Sequence, residues 1–310
     1  MKIIDAVPKT KVLQIHRGII MILSVMLSAC AMTSTAGRDD LEEAVQGDPN
    51  FHIYLCFGQS NMEGDPDKGI PPKYKEYSND RFQVMAAANM PRTQRIIGNW
   101  YQAVPPLVRD WTGLSPADFF GRTLAEEISD PDIRIGVIVV AVGGCAINLF
   151  DKDNTEAMAY LNKQESYMKP IAAEYGNNPY QRMVDMAKLA QKDGVIKGIL
   201  LHQGESGKAR GPNYSNGSDN ANWGIAVKNI YDNLLADLKL KPNSIPLLAG
   251  QVVGNNSAII RDLPKVMPGV AHVISSEGLT QGKDQWHFSY DGYEQLGVRY
   301  GKKMLELNYP

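Results

Sequence analysis

Ser60 stands in GQSNMEG, Gly58 to Gly64, directly behind FHIYLCF, a run of apolar, β-branched and aromatic residues that reads as a buried strand. A hydroxyl lifted on a tight bend at the end of a core strand suits a nucleophile, although Gly, Ser and Asn are also ordinary turn residues. Such a serine attacks only if a neighbouring base takes its proton and a third group fixes the tautomer of that base. The chain has five histidines. His16 falls in the N-terminal apolar segment, His52 begins the first strand at the end remote from Ser60, and His272 sits inside VAHVISS as a packed strand residue. His202, in LLHQGES, and His287, in DQWHFS, remain. His287 follows Asp284 by three residues, just before a C-terminal helix. That spacing lets the carboxylate reach the ring Nδ1–H while Nε2 faces outward, as a general base requires. The same residues also suit a plain helix-entry loop capped by Asp284 and Ser289.

These groups are useful only if the fold brings their segments together. After the first strand, apolar runs and amphipathic segments alternate. SPADFFGRTLAEEI predicts a helix with Ser115 as N-cap, Pro116 at the first helical position and Asp118 in the capping-box position. IRIGVIVVAV, Ile133 to Val142, is a continuous β-branched run of the kind buried on both faces of a parallel sheet, and it ends at Gly143-Gly144. PYQRMVDMAKLAQKDG places Met183, Met186, Ala187 and Ala190 at helical spacing. IKGILLHQGES, IPLLAGQVV and VAHVISSEG give further strands, NWGIAVKNIYDNLLADL a helix, and SYDGYEQLGVRYGKKMLEL a closing helix with Tyr293, Leu296, Tyr300, Met304 and Leu307 on one face. The alternation predicts an α/β fold, a three-layer α/β/α sandwich with a central parallel sheet of about five strands. Ligands bind such sheets at the carboxyl ends of the strands, and those ends carry GQSN, GG, HQGES and GKDQWHFS. Asp65 to Leu114 shows no clear period, so it is expected to be a long loop insertion facing the substrate.

GQSNMEG, VGGCAI, LLHQGES and DQWHFS, in this order and each at an expected strand end, resemble the blocks of the SGNH-type esterases. The similarity is greatest to the acetyl-sugar esterases grouped with carbohydrate esterase family six and with the sialate O-acetylesterases, and covers residues 51–307. The resemblance implies a flavodoxin-like sheet and a serine esterase that removes O-acetyl groups from carbohydrate through an acyl-enzyme, with no metal or organic cofactor. The substrate would be acetylated xylan or a related plant or host glycan, or else a sialate ester or another short-chain ester. Ser60 matches the nucleophile, His287 the base and Asp284 its orienting acid. The backbone N–H groups of Ser60 and Gly144 and the side-chain amide of Gln203 match the oxyanion hole, with Gln59, Asn61, Gly143 and Glu205 in support. The simpler SGNH pattern has Asn where Gln203 stands. The aromatic residues Trp100, Tyr101 and Trp111 suit sugar rings, or equally a packed core. A hydrolase of longer acyl chains would need a longer apolar acyl pocket, and a glycan-binding protein without catalysis would lose the triad.

Bulk composition is that of a globular protein: 310 residues, 44% hydrophobic and 21% charged, enough for a large core. With 32 Lys+Arg against 34 Asp+Glu and a formal net charge of -2, there is no electrostatic footprint for nucleic acid. Residues 1–29 have the form of a signal peptide: a basic start with Lys2, Lys9, Lys11 and Arg17, then the short apolar run Ile19 to Ala29. That run is well short of the ~20 residues a membrane span needs. It ends in LSAC, which resembles the lipobox of bacterial lipoproteins. Acylated Cys30, a tether over 30–50 and a domain over 51–310 are the expectation, with the protein exported and held at a cell-envelope membrane only by its lipid. An ordinary signal peptide is the alternative. Cys56 and Cys145 are then too few for a disulfide framework; they are buried thiols or a single bridge.

Overall fold

In β1 (Phe51–Gly58) successive side chains enter two different cores, as a central strand covered on both faces requires. Phe51, Ile53, Leu55 and Phe57 face one, and Tyr54 and Cys56 the other. The computed structural model describes residues 47–64, 69–163, 166–206, 220–253 and 257–308. The signal-peptide and lipidation expectations, Cys30 included, lie outside these residues. Gly47 is buried and the Asp48 N–H donates to the Asp193 carbonyl, so residues 47–50 pack against the domain.

The sheet has seven strands. Besides β1 they are β2 (Phe82–Met85), β3 (Trp100–Gln102), β4 (Arg134–Ala141), β5 (Val195–His202), β6 (Leu247–Gly250) and β7 (Ala271–Ile274). Their order is β3-β2-β4-β1-β5-β6-β7, parallel throughout except for the β2–β3 pair. The five expected strands are present. The other two, β2 and β3, come from Asp65 to Leu114, so that segment is not the long loop its sequence suggested. Strands this short, one of them at the sheet edge, carry too few residues to establish a period of two. The aromatic β3 is structural: the Trp100 ring packs edge-on at 4.7 Å from Phe51, and its Nε1–H donates to Asp193. Tyr101 Oη accepts from the Ile96 N–H.

Short helices α1 (Ser60–Glu63) and α2 (Pro72–Lys75) follow β1. Helices α3 (Pro116–Glu127), α4 (Thr155–Lys163), α5 (Met168–Glu174), α6 (Pro179–Ala190), α7 (Asn220–Asp237), α8 (Ser257–Val266) and α9 (Tyr290–Asn308) complete the layers. One face of the sheet is covered by α3 and α9 through Phe120, Leu124, Leu296 and Met304. The other is covered by α6, α7 and α8 through Met183, Ile230, Leu234 and Ile260. The start of α3 is built as the sequence expects: Ser115 Oγ accepts from the Ala117 N–H and donates to the Met62 carbonyl. Asp118, in contrast, does not close a capping box; its carboxylate pairs with Arg122 one turn on.

Chain direction sets the position of the site. From β1 the chain moves out through β2 and β3, returns to β4, and then crosses to β5 on the other side. The register aligns Gly58 with Ala141 of β4 and with His202 of β5. The carboxyl ends of three adjacent strands are therefore level, at the switch point where open α/β sheets bind ligands.

Candidate active site

The bend after β1 depends on Gly58. A Cβ there would lie 2.0 Å from the carbonyl oxygen of His202, and the next residue donates its N–H to that same oxygen. Only glycine lets the two strand ends approach so closely. Gln59 is the last residue before α1, and Ser60 opens it, so the Ser60 N–H has no helical acceptor. Among the described residues neither this N–H nor that of Gly144 makes a hydrogen bond. Gly144 has φ +73, a conformation that favours glycine, in the turn after β4. Ser60, Gly143 and Gly144 line one cavity of about 500 Å³ with Gln59, Glu205 and His287.

His287 reaches this cavity from the loop after β7, three strand spacings or about 14 Å across the sheet from β1. Asn61 brings the loop back. Its Nδ2 donates to the Trp286 carbonyl at 3.1 Å and to Glu205 Oε1 at 2.6 Å, and its Oδ1 accepts from the Phe288 N–H and from Tyr293 Oη. All four hydrogen-bonding positions of one buried amide are thus used to tie α1, the end of β5, the His287 loop and α9 together. Within the loop, Asp284 Oδ2 lies 2.6 Å from His287 Nδ1, and Oδ1 accepts from the backbone N–H groups of Trp286 and His287. Partial burial raises the Asp284 carboxyl, but the bonds from the His287 ring and the two N–H groups outweigh it and hold it down at about 2. Asp284 is therefore ionised at neutral pH, and it fixes the ring with Nε2 as the free nitrogen.

Gln203 does not reach the cavity and is fully buried behind it. Its Oε1 accepts from Trp223 Nε1, and since indole is a donor only, this fixes the amide orientation. Both Nε2 protons are then spent, on Gln59 Oε1 and on the Cys145 carbonyl. The expected oxyanion role for Gln203 is corrected on this ground, because no proton is left to donate. Gln203 instead locks the ends of β1, β4 and β5 to α7. Gln203→Ala is accordingly expected to cost about 1–3 kcal/mol of stability through the buried groups left unpaired. Chemical denaturation would show it, and a loss of turnover at unchanged stability would return Gln203 to the oxyanion hole.

Glu205 is tied to Asn61, and its Oε1 lies 3.4 Å from His202 Nε2. Burial raises its carboxyl, but His202 and Asn61 together outweigh this and leave it below the usual carboxylate range. His202 itself is buried, with Nδ1 3.3 Å from Tyr300 Oη, and does not line the cavity. His52 bonds the Pro49 carbonyl at the opposite end of β1, and His272 lies in β7, so neither approaches Ser60. Cys56 and Cys145 are buried free thiols, both pushed well up by burial, so neither supplies a nucleophile.

Of the three aromatics singled out in the sequence, Trp111 lines the cavity, which also contains Glu63, Tyr167, Ser206 and Trp286, residues given no role from the sequence. Glu63 forms a buried ion pair with Arg109, whose guanidinium also donates to the Ala141 carbonyl and lies 4.8 Å over the Trp111 ring. Glu63 and Trp286 were visible inside the quoted motifs. Arg109 carries no sequence signal, because its partner is far away in the chain.

The carbohydrate esterase, sialic acid-specific acetylesterase family model matches residues 50–306. A solved protein of Arabidopsis thaliana is 22% identical, with a TM-score of 0.62 over 85% of this chain and 100% of that one. A carbohydrate acetylesterase of Xanthomonas citri is 15% identical, with a TM-score of 0.56 over 83% of this chain and 56% of that one. NanS is 15% identical, with a TM-score of 0.56 over 84% and 98% of the two chains. These structures share the fold, and with the family match over nearly all of the described domain the chain belongs to the carbohydrate esterase, sialic acid-specific acetylesterase family and is a carboxylic ester hydrolase.

Proposed function

We propose that the protein removes O-acetyl groups from a neutral glycan by a serine mechanism, with Ser60, His287 and Asp284 as its triad. The observation that carries this reading is the pairing of an ionised Asp284 with His287 Nδ1, in a cavity that Ser60 also lines. Ser60 Oγ attacks the acetyl carbonyl while His287 Nε2 takes its proton, and the same proton then passes to the departing sugar hydroxyl. The charge that builds on the carbonyl oxygen is met by the free N–H groups of Ser60 and Gly144. Water, deprotonated by His287, releases acetate from the acyl-enzyme.

Two features support the choice of substrate. Gly144 also borders a second cavity of about 20 Å³, lined by Ala146, Leu149, Leu161 and Met168, which suits a group near the size of a methyl rather than a long acyl chain. The lining of the main cavity includes the carboxylate of Glu205 and, among the described residues, no Lys or Arg, while Glu63 is already neutralised by Arg109. That favours an uncharged sugar over a sialate, whose own carboxylate would need a cation. The family match supports sialate as the second reading. Acetate release from acetylated xylan and mannan and from O-acetyl sialic acid separates the two. Neutral glycans should give the higher kcat/KM, and a preference for sialate would reverse the assignment.

A further inference from the structure

Five large hydrophobic side chains are exposed among the described residues: Ile96, Trp111, Tyr167, Ile225 and Trp286. The three aromatic ones all line the catalytic cavity, and the two aliphatic ones do not. Trp286 is 71% exposed, Tyr167 68% and Trp111 38%. Scattered apolar side chains on a surface carry no meaning, but exposed aromatics gathered at one cavity mark a binding surface.

Trp286 is mounted differently from the other two. It stands between Asp284 and His287, and its backbone is held from both sides: its N–H donates to Asp284 Oδ1, and its carbonyl accepts from Asn61 Nδ2. The side chain is thus projected into solvent from the most tightly bonded part of the loop. Its placement relative to His287 is fixed by the same bonds that fix the base. In the same lining, Tyr167 brings its hydroxyl to where a Cβ on Gly144 would lie 2.0 Å away, and Trp111 is backed by the Arg109 guanidinium. Trp286 therefore adjoins the base and Tyr167 the Gly144 turn, while Trp111 is held by the Arg109–Glu63 pair.

We propose that Trp286 is the specificity-determining residue for the alcohol side of the ester: its indole stacks on the apolar C–H face of the pyranose ring that carries the acetyl group, with Trp111 and Tyr167 as the facing walls. A rigid ring of large area binds a sugar face at little entropic cost, because few rotors are frozen. A small alcohol such as ethanol has no such face and gains nothing from it. The inference rests on the carbohydrate reading above and sharpens it.

The test compares wild-type protein, Trp286→Ala, Trp286→Phe and Trp111→Ala on acetylated xylo-oligosaccharide and on ethyl acetate, an ester with no ring, by acid release. Trp286→Ala should raise KM for the oligosaccharide about 10- to 100-fold, the scale of one large aromatic contact, with a much smaller loss on ethyl acetate. Trp286→Phe should restore most of the binding, and Trp111→Ala should show a weaker form of the same split. Equal loss on both esters, expressed in kcat, would make Trp286 a mere support of the triad loop and overturn the proposal. An unchanged KM for the oligosaccharide would overturn it as well while leaving the carbohydrate reading intact. If wild-type protein showed no preference for the oligosaccharide over ethyl acetate, both would fall together.

Discussion

Ser60→Ala should lower kcat for an acetyl ester by about 10⁶, the loss seen when the nucleophile of a serine triad is removed, with the fold undisturbed. The side chain is only partly buried and makes no hydrogen bond among the described residues, so its removal opens no core cavity. Stability should stay within about 0.5 kcal/mol of wild type. The Ser60 N–H and the Gly144 turn remain in place, because Gly58 and Gln59 form the bend through their backbones. A weak residual rate over water is therefore expected, from backbone donors and substrate binding alone. Turnover close to wild type in the purified variant would remove Ser60 from the mechanism and turn attention to another group at the same cavity.

How far the site was legible in the sequence depended on whether its partners were local. Asp284 and His287 share one loop, and three residues of spacing sufficed to show that one could orient the other. Ser60 was legible for a similar reason: the apolar run before it ends abruptly at Gly58, and that break has a physical cause in the close approach to His202. Five core strands were visible because their apolar runs are long or end in conspicuous polar clusters. In contrast, β2 and β3 escaped notice because they have only four and three residues. Gln203 was misplaced because a side-chain amide has the right chemistry for an oxyanion donor, and no sequence pattern shows that Trp223, on another helix, has already fixed its orientation. Arg109 and Asn61 illustrate the same limit. Each acts by joining segments distant in the chain, so the residues beside it reveal nothing of the role.

Asp284 lies against His287 Nδ1 and Glu205 lines the same cavity as His287 and Ser60, and only one of the two acids can hold the ring. Asp284→Asn should cost up to about 10⁴ in kcat, and the geometry explains why. Oδ1 accepts from two backbone N–H groups, so the new amide must keep its oxygen there and turn its NH₂ toward His287 Nδ1. Nδ1 then has to act as acceptor, which moves the ring proton to Nε2 and removes the base. Because the carboxyl is held at about 2, this loss should persist across the whole neutral range rather than appear only at one end. Glu205→Gln should behave differently. The glutamine oxygen can still accept from Asn61, so the His287 loop keeps its anchor, and kcat should fall by well under the ~10² that a 1 Å displacement costs. What Glu205 loses is its charge beside His202 in a buried site, so the effect should appear as about 1.5–3 kcal/mol of stability. Measuring kcat and thermal midpoint for both variants decides between the two acids. A large kcat loss for Glu205→Gln at an unchanged midpoint would transfer the orienting role to Glu205, since a group that only supports the fold cannot be removed without the fold responding.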